Sequence, residues 1–266
     1  MSSYEPHINY KHLDDLSIFA RQSFMSAKPY EHIIIDNFLH EKSYAAILSN
    51  LPSPNENKHS SDYIFAKNKF ENPLFDADNK ILGELRQELI GERFSGFLKL
   101  LYDKDIFIDH EFIGGGIHHG GSGSFLDMHA DFSRHPVRKD WLRELNILLY
   151  LNEGYRESWG GHLEMQNMYT NMTGRIAPCG NRMVIMRTKE YTLHGYKPIK
   201  FPTGRYRISI ASYAYSINSD FDSIPDHSTL WKPNAISKQL VAQAMPLLIK
   251  LKTKVFGSST VKRSKR

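Results

Sequence analysis

LNILLYL at Leu145–Leu151, MVIMR at Met183–Arg187 and YRISIASYAY at Tyr206–Tyr215 are the runs that decide the fold. Each is short, rich in branched and aromatic residues, and bounded by turn-forming or charged residues, as strands are. HLEMQ at His162–Gln166 is a fourth, weaker run. From Ile106 to Ser216 such runs follow one another across glycine-rich and polar turns, with no helical spacing between them. Strands at that density predict an antiparallel sandwich or a jelly roll.

Working outward, the texture changes on both sides. Ile81 to Tyr102 repeats apolar residues at helical spacing, enough for one or two helices, and so does Glu41 to Leu51. EHIIIDNFL, from Glu31 to Leu39, reads as a buried strand, because three adjacent isoleucines are bounded by polar residues. Residues 52–79 are rich in Pro, Asn, Ser and Asp and read as a long surface excursion. Residues 1–28 are polar and mixed, and Ile236 to Leu251 reads as a final helix leading into a basic tail. The expected division is an N-terminal extension at 1–29, a principal domain with its N-terminal helices at 30–220, and a C-terminal helix and tail at 221–266.

Composition bounds the function. The chain has 266 residues, 41% of them apolar, which is enough for a sizeable core. No run of eighteen apolar residues occurs and the first twenty residues are polar, so neither a membrane span nor a secretory signal is expected. The single cysteine, Cys179, cannot form an internal disulfide, which fits a cytoplasmic setting. The net charge of +5 is local: Lys250, Lys252, Lys254, Lys262, Arg263, Lys265 and Arg266 crowd the C-terminal end. A charge run of this kind reads as a solvated tail and not as a nucleic-acid face.

Within FLDMHADF, His129 and Asp131 stand two apart. Side chains at i and i+2 of a strand share a face roughly 6.5–7 Å apart, so imidazole and carboxylate can converge on one ion. The other His-x-Asp pair, His12 with Asp14, lies in the polar N-terminal segment and reads as surface. A third ligand candidate, His194, opens HGYKP after the short strand-like stretch Glu190–Leu193. Two imidazoles and a carboxylate are the facial triad of non-haem Fe(II) oxygenases, which leaves three positions open. The same donors also serve catalytic zinc. An oxygenase that uses 2-oxoglutarate further needs a cation, best an arginine, whose planar fork grips a carboxylate through two hydrogen bonds. GRYRISIASYAYS offers Arg205, Arg207 and Ser209 on one face, and alternation alone does not choose between the arginines. Tyr150 can add a hydroxyl to the same carboxylate.

GGGIHHGGSGSFLDMHADF, LNILLYLN, SWGGHLEM, GNRMVIM, LHGY and GRYRISIASYAYS follow in the order seen in prolyl-4-hydroxylase-like 2-oxoglutarate oxygenases, and the chain resembles the bacterial members of that family. The resemblance runs from about Tyr30 to Tyr215 and weakly to HSTLW at His227–Trp231. It implies a mainly β chain with supporting helices: a double-stranded β-helix, the jelly-roll, cupin-like fold. It further implies Fe(II) on His129, Asp131 and His194, and 2-oxoglutarate on Arg207 (not Arg205) with Tyr150 and Ser209. His118 or its neighbour His119 falls near the other end of the cosubstrate. Ascorbate is the candidate reductant. The activity implied is an Fe(II)- and 2-oxoglutarate-dependent dioxygenase that consumes O₂ and hydroxylates an unactivated C–H bond. Halogenating relatives lack the carboxylate that Asp131 supplies. The substrate classes left open are a prolyl residue of a peptide or protein, an amino acid or natural product, and a glycan or lipid precursor. Ser133–Leu142 and 52–79 are where that choice is expected to lie.

Two rival readings have their own discriminators. A cupin-like zinc or other divalent-metal isomerase or hydrolase has no need of the Arg-x-Ser strand. A non-catalytic binding module has no need of an intact triad.

Overall fold

In the computed structural model the described residues are 5–54, 64–218, 220, 227–233 and 237–244. Four helices come early: α1 (Tyr10–Ser26), α2 (Glu41–Ser49), α3 (Lys80–Ile90) and α4 (Glu92–Tyr102). Ile81–Tyr102 is therefore two helices, broken at the extended Gly91. Asn9 and Asn79 cap α1 and α3, their side chains accepting from the backbone N–H of His12 and Leu82. Although its sequence is polar overall, α1 buries Tyr10, Leu13, Ala20 and Phe24.

The strands are β1 (His32–Asp36), β2 (Ala66–Asn72), β3 (Phe107–Ile108), β4 (Gly116–Ala130), β5 (Trp141–Tyr150), β6 (Leu163–Asn167), β7 (Thr173–Ile176), β8 (Arg182–Arg187), β9 (Thr192–Tyr196), β10 (Arg207–Ile217) and β11 (Leu230–Trp231). They form one antiparallel sheet in the order β1-β8-β5-β10-β4-β9-β6-β7, with β2 and β11 also on β4 and β3 on β10. The first half of β4 pairs with β10 and its second half with β9, so one long strand joins the two halves of the barrel. This is the double-stranded β-helix.

Alternation along β5 sorts the two sides of the sheet. Leu145, Ile147, Leu149 and Leu151 enter the main core with the helices and with Ile33, Ile35, Met183, Ile185 and Ile210. Tyr150 faces the barrel interior with Leu163, Met165, Ile176, Val184 and Met186. Burial on both faces is why Ile147–Leu151 reads as an unbroken apolar run.

Three expectations need correction, and a fourth is met over its described part. Residues 52–79 are not all surface excursion: Phe65, Ala66 and Phe75 are buried, and 66–72 form β2 against β4. EHIIIDNFL is an edge strand and leaves Ile34 41% exposed. His194 stands in the middle of β9, not at the end of a preceding strand. Finally, 237–244 is helical, while the rest of Ile236–Leu251 and the basic tail lie outside the described residues. Among the described residues no helix is long and apolar enough to cross a membrane.

Candidate active site

His129 lies in β4 and pairs across the ladder with His194 of β9, so two imidazoles on adjacent strands face each other. Their ring centroids are 4.3 Å apart. Asp131 follows just past the end of β4, with Oδ1 3.6 Å from His129 Nε2 and Oδ2 3.7 Å from His194 Nε2. One ligand atom from each of the three lies within 4.8 Å of the others, and all three residues are buried. His12 and Asp14 are far from this cluster in the chain, on α1, where Asp14 pairs with Arg93.

Each imidazole is oriented from behind. His129 Nδ1 is 3.0 Å from the carbonyl of Asp127; a carbonyl only accepts, so Nδ1 donates and the ring turns Nε2 toward Asp131. The ring of His194 is held in the same way by the backbone of Thr192, and burial lowers its pKa to about 3, so it is neutral. Trp231 stacks on His129 at 4.8 Å and is itself stacked on Phe65.

Asp131 is held from outside the trio. Asn146 Nδ2 donates to Oδ2 at 3.0 Å, and Arg143 Nη1 approaches the same oxygen at 3.3 Å. The Arg143 guanidinium lies between the rings of Phe132 (3.6 Å) and Tyr213 (3.7 Å). Burial opposes ionisation of Asp131, but Arg143 and the two histidines outweigh it and hold the carboxyl well below the usual range. Asn146 shares the parity of Tyr150, so alternation could have placed it here. Arg143 could not be found that way. The β5–β10 register shifts between Leu145 and Arg143, so Glu144 bulges and Arg143 swings from the core face to the site.

The other end of the cavity is built around Arg207. It is 7% exposed; Nε donates to the carbonyl of Gly161 (2.7 Å), Nη2 donates to the hydroxyl of Tyr150 (3.1 Å), and the guanidinium lies 4.3 Å over Tyr196. Gly161 adopts φ +80°, and a Cβ there would stand 3.1 Å from Arg207 Cδ, so the arginine's seat requires glycine. Burial raises the Tyr150 pKa despite Arg207, so the phenol keeps a proton to donate. Arg205 is elsewhere: it precedes β10, is exposed, and donates to the carbonyl of Glu153. Register also separates the adjacent histidines. Ser209 is opposite His118, sharing its face, whereas Ile208 is opposite His119, which packs edge-on against Tyr206. His118 is neutral, burial lowering its pKa to about 3, and its buried Nε2 has no hydrogen-bond partner.

One cavity of about 230 Å³ is bordered by the histidine–aspartate trio, Arg207, Ser209 and His118. Residues 115–215, which contain all of these, match the 2OG-Fe(II) oxygenase superfamily. The matched segment is a 2OG-Fe(II) oxygenase domain. Its cofactors are accordingly Fe(II) and 2-oxoglutarate, with O₂ as co-reactant. The donor set fits that assignment: two imidazoles and a carboxylate for the ion, and a buried arginine with no acidic partner among the described residues for a dianionic cosubstrate.

Solved structures show how far the fold of this oxygenase extends. A prolyl 4-hydroxylase from Phytophthora capsici aligns over 99% of this chain and 85% of its own, at 16% identity and TM-score 0.53. A Pseudomonas putida prolyl-4-hydroxylase aligns over 77% and 97%, at 16% identity and TM-score 0.50. The Trichoplax adhaerens prolyl hydroxylase, solved with a peptide fragment of the hypoxia inducible factor oxygen degradation domain, aligns over 80% and 94% with the same identity and score. At these identities the likeness is one of fold. A comparison with curated proteins finds no match.

Proposed function

We propose that this oxygenase hydroxylates an unactivated C–H bond, with His129, Asp131 and His194 as the ligands of Fe(II). The observation that carries this reading is the state of Asp131. Its Oδ2 is engaged by Asn146 and faced by Arg143, which leaves Oδ1 for the ion. A carboxylate bound through one oxygen takes one position and, with two imidazoles, leaves three for cosubstrate and O₂. Because that position is filled, a halide cannot take it, and hydroxylation is favoured over halogenation.

Arg207 and Tyr150 hold the distal carboxylate of 2-oxoglutarate: the fork supplies charge and direction, the phenol a second donor. Ser209 borders the same carboxylate, and neutral His118 offers its unpartnered nitrogen nearer the ion. With both cofactors bound, oxidative decarboxylation of 2-oxoglutarate to succinate and CO₂ supplies the oxidising power for inserting one oxygen atom into the substrate. The chain itself holds and orients. Phe132, Leu148, Leu163 and Trp231 border the cavity and limit water around the reacting atoms.

Succinate release from 2-oxoglutarate by the full chain, with Fe(II), ascorbate and air, tests this. It is expected to require Fe(II) and to fall to background in His129→Ala and His194→Ala. Equal turnover of a hydrolysable substrate with Zn(II), and none of 2-oxoglutarate with Fe(II), would overturn the reading.

A further inference from the structure

The cavity has a wall that this chemistry does not use. β2 runs along β4 on the side away from β10, with Lys69 opposite Gly120 and Glu71 opposite His118. On the other side of β4, Arg207 is opposite Gly120 and Ser209 opposite His118. Cross-strand partners share a face, so Lys69 and Glu71 look into the same space as Arg207 and Ser209. Both line the cavity together with the metal trio. Gly120 contributes no side chain, so Lys69 and Arg207 stand either side of a gap about 10 Å wide, two strand spacings.

Lys69 Nζ donates to Glu71 Oε1 at 2.9 Å, the side chains being 14% and 23% exposed. Burial works against the charge on Lys69, but Glu71, Tyr196 and Asp131 outweigh it and keep the ammonium protonated. The charge of Glu71 is felt in turn by Tyr213, the ring beneath Arg143. The pair thus overlooks the reaction centre. A largely buried ion pair adds little stability once desolvation is counted. The Lys69–Glu71 bond itself lies within a single strand, on the face turned to the cavity. Its place in the cavity wall, beside the metal trio, suits a ligand that carries both charges.

We propose that Lys69 and Glu71 form the substrate-recognition site and that the substrate is a free α-amino acid, its carboxylate on Lys69 and its ammonium on Glu71. The inference rests on the oxygenase reading of the adjacent centre. An α-amino acid carries both charges on one carbon, so a contacting pair of opposite charges can meet both at once. A ligand with one charge would open the pair and strand the other partner in a buried site, and a neutral peptide segment would satisfy neither. The cavity volume of about 230 Å³ lies below the range of about 300–1,000 Å³ common for ligand pockets, and it must also hold the cosubstrate. That favours a small molecule.

The test is succinate release by the Fe(II)-loaded chain with each common amino acid singly, with the N-acetyl methylamide of each, and with prolyl peptides. At least one free amino acid is expected to raise the rate about tenfold and its capped form to leave it unchanged. Lys69→Met and Glu71→Gln are each expected to raise the KM for that amino acid about tenfold or more, with the Kd for 2-oxoglutarate within about twofold of the parent. The double swap Lys69→Glu with Glu71→Lys keeps an ion pair in β2 but reverses its polarity, so kcat/KM is expected to fall while Tm stays. The proposal is overturned if no free amino acid stimulates, if capped forms or peptides do so equally, if Lys69→Met weakens 2-oxoglutarate binding tenfold, or if the swap behaves as the parent. Absence of Fe(II)-dependent 2-oxoglutarate binding by the parent chain would sink the oxygenase reading instead.

Discussion

Arg143 and Arg207 are both buried and sit on neighbouring strands, Arg207 lining the cavity and Arg143 standing behind Asp131, and their surroundings differ in kind. Arg143 has its acid within the chain, Asp131 at 3.3 Å, and is clamped between two rings. Among the described residues, Arg207 meets a carbonyl, a phenol and the face of Tyr196, and no carboxylate. A buried cation with a resident anion completes the protein; one that meets only neutral groups is completed by a ligand. On the proposed assignment, the same contrast divides the cavity into an end that fixes a metal ligand and an end that awaits an anion.

The largest effect that could break this contrast is at Asp131. Asp131→Ala removes a ligand and leaves Arg143 a buried cation without its acid, so Fe(II) binding and turnover are expected to disappear and Tm to fall. Metal titration followed by succinate assay checks both; a variant that binds Fe(II) normally sinks the assignment of the metal end. Next is Arg207→Ala, which strips the cosubstrate of its cation. A lost charge-assisted pair with a desolvated anion is worth about 2–4 kcal/mol, or roughly 30- to 1000-fold in 2-oxoglutarate affinity. Arg207→Lys restores charge without the fork, and only part of the loss is expected to return. Because Arg207 lacks an acid partner, its removal is expected to leave Fe(II) affinity nearly unchanged, unlike that of Asp131.

Arg143→Met sharpens the comparison from the other side. Here the guanidinium orients a ligand and touches no substrate, so the loss is expected in metal affinity, about 10- to 100-fold as for other supporting partners of metal ligands. The 2-oxoglutarate affinity of the metal-loaded protein is the readout that a merely structural role would not spare. A tenfold change there, with Fe(II) affinity intact, would mean that the two arginines had been assigned to the wrong ends.

Much of this arrangement was legible before any coordinates. β5, β8 and β10 are buried on both faces or alternate cleanly, so their residues announce strands; parity narrows the cation to Arg205 or Arg207, and only the family resemblance picks Arg207. What stayed hidden depends on backbone irregularity or close approach. Arg143 reaches the site only because Glu144 bulges. AKNKFEN looks like a loop because β2 lines a polar cavity and carries charges where a core strand would carry valine. The glycines at the start of β4 look like a linker; a Cβ on Gly116, whose φ is +110°, would stand 2.2 Å from the carbonyl of Asn72, so glycine there admits the β2 end of the chain. Glycine weakens a strand pattern in sequence even where packing demands it.

His119 extends the contrast to the face that sees neither arginine. Burial alone pushes its pKa from 6.5 down to about 4. Between those values the unfolded chain takes up a proton that the folded chain refuses, so stability is complete above pH 6.5 and declines as pH falls toward 4. At pH 5.5, one unit below the unfolded value, the loss is about 1.4 kcal/mol. His119→Phe is expected to flatten the fall in Tm between pH 7.5 and 5.5; an unchanged slope would mean that His119 does not titrate with unfolding.

The smallest effect belongs to Arg205, and its size is the point. It shares strand parity and residue type with Arg207, two positions away, but it is exposed, donates to the Glu153 carbonyl and lies 5.3 Å over the ring of Trp159. An exposed cation keeps its hydration, so nothing draws an anion to it that water does not already satisfy. Arg205→Ala is expected to change stability by no more than about 0.5 kcal/mol, the usual range for a surface substitution. Its 2-oxoglutarate KM is expected to stay within about twofold of the parent, where Arg207→Ala moves it by orders of magnitude. Measured side by side, the two variants separate parity from burial as the property that makes an arginine a cosubstrate site. A larger loss in the Arg205 variant would put the β10 register two residues off, and the Ser209–His118 row would go with it.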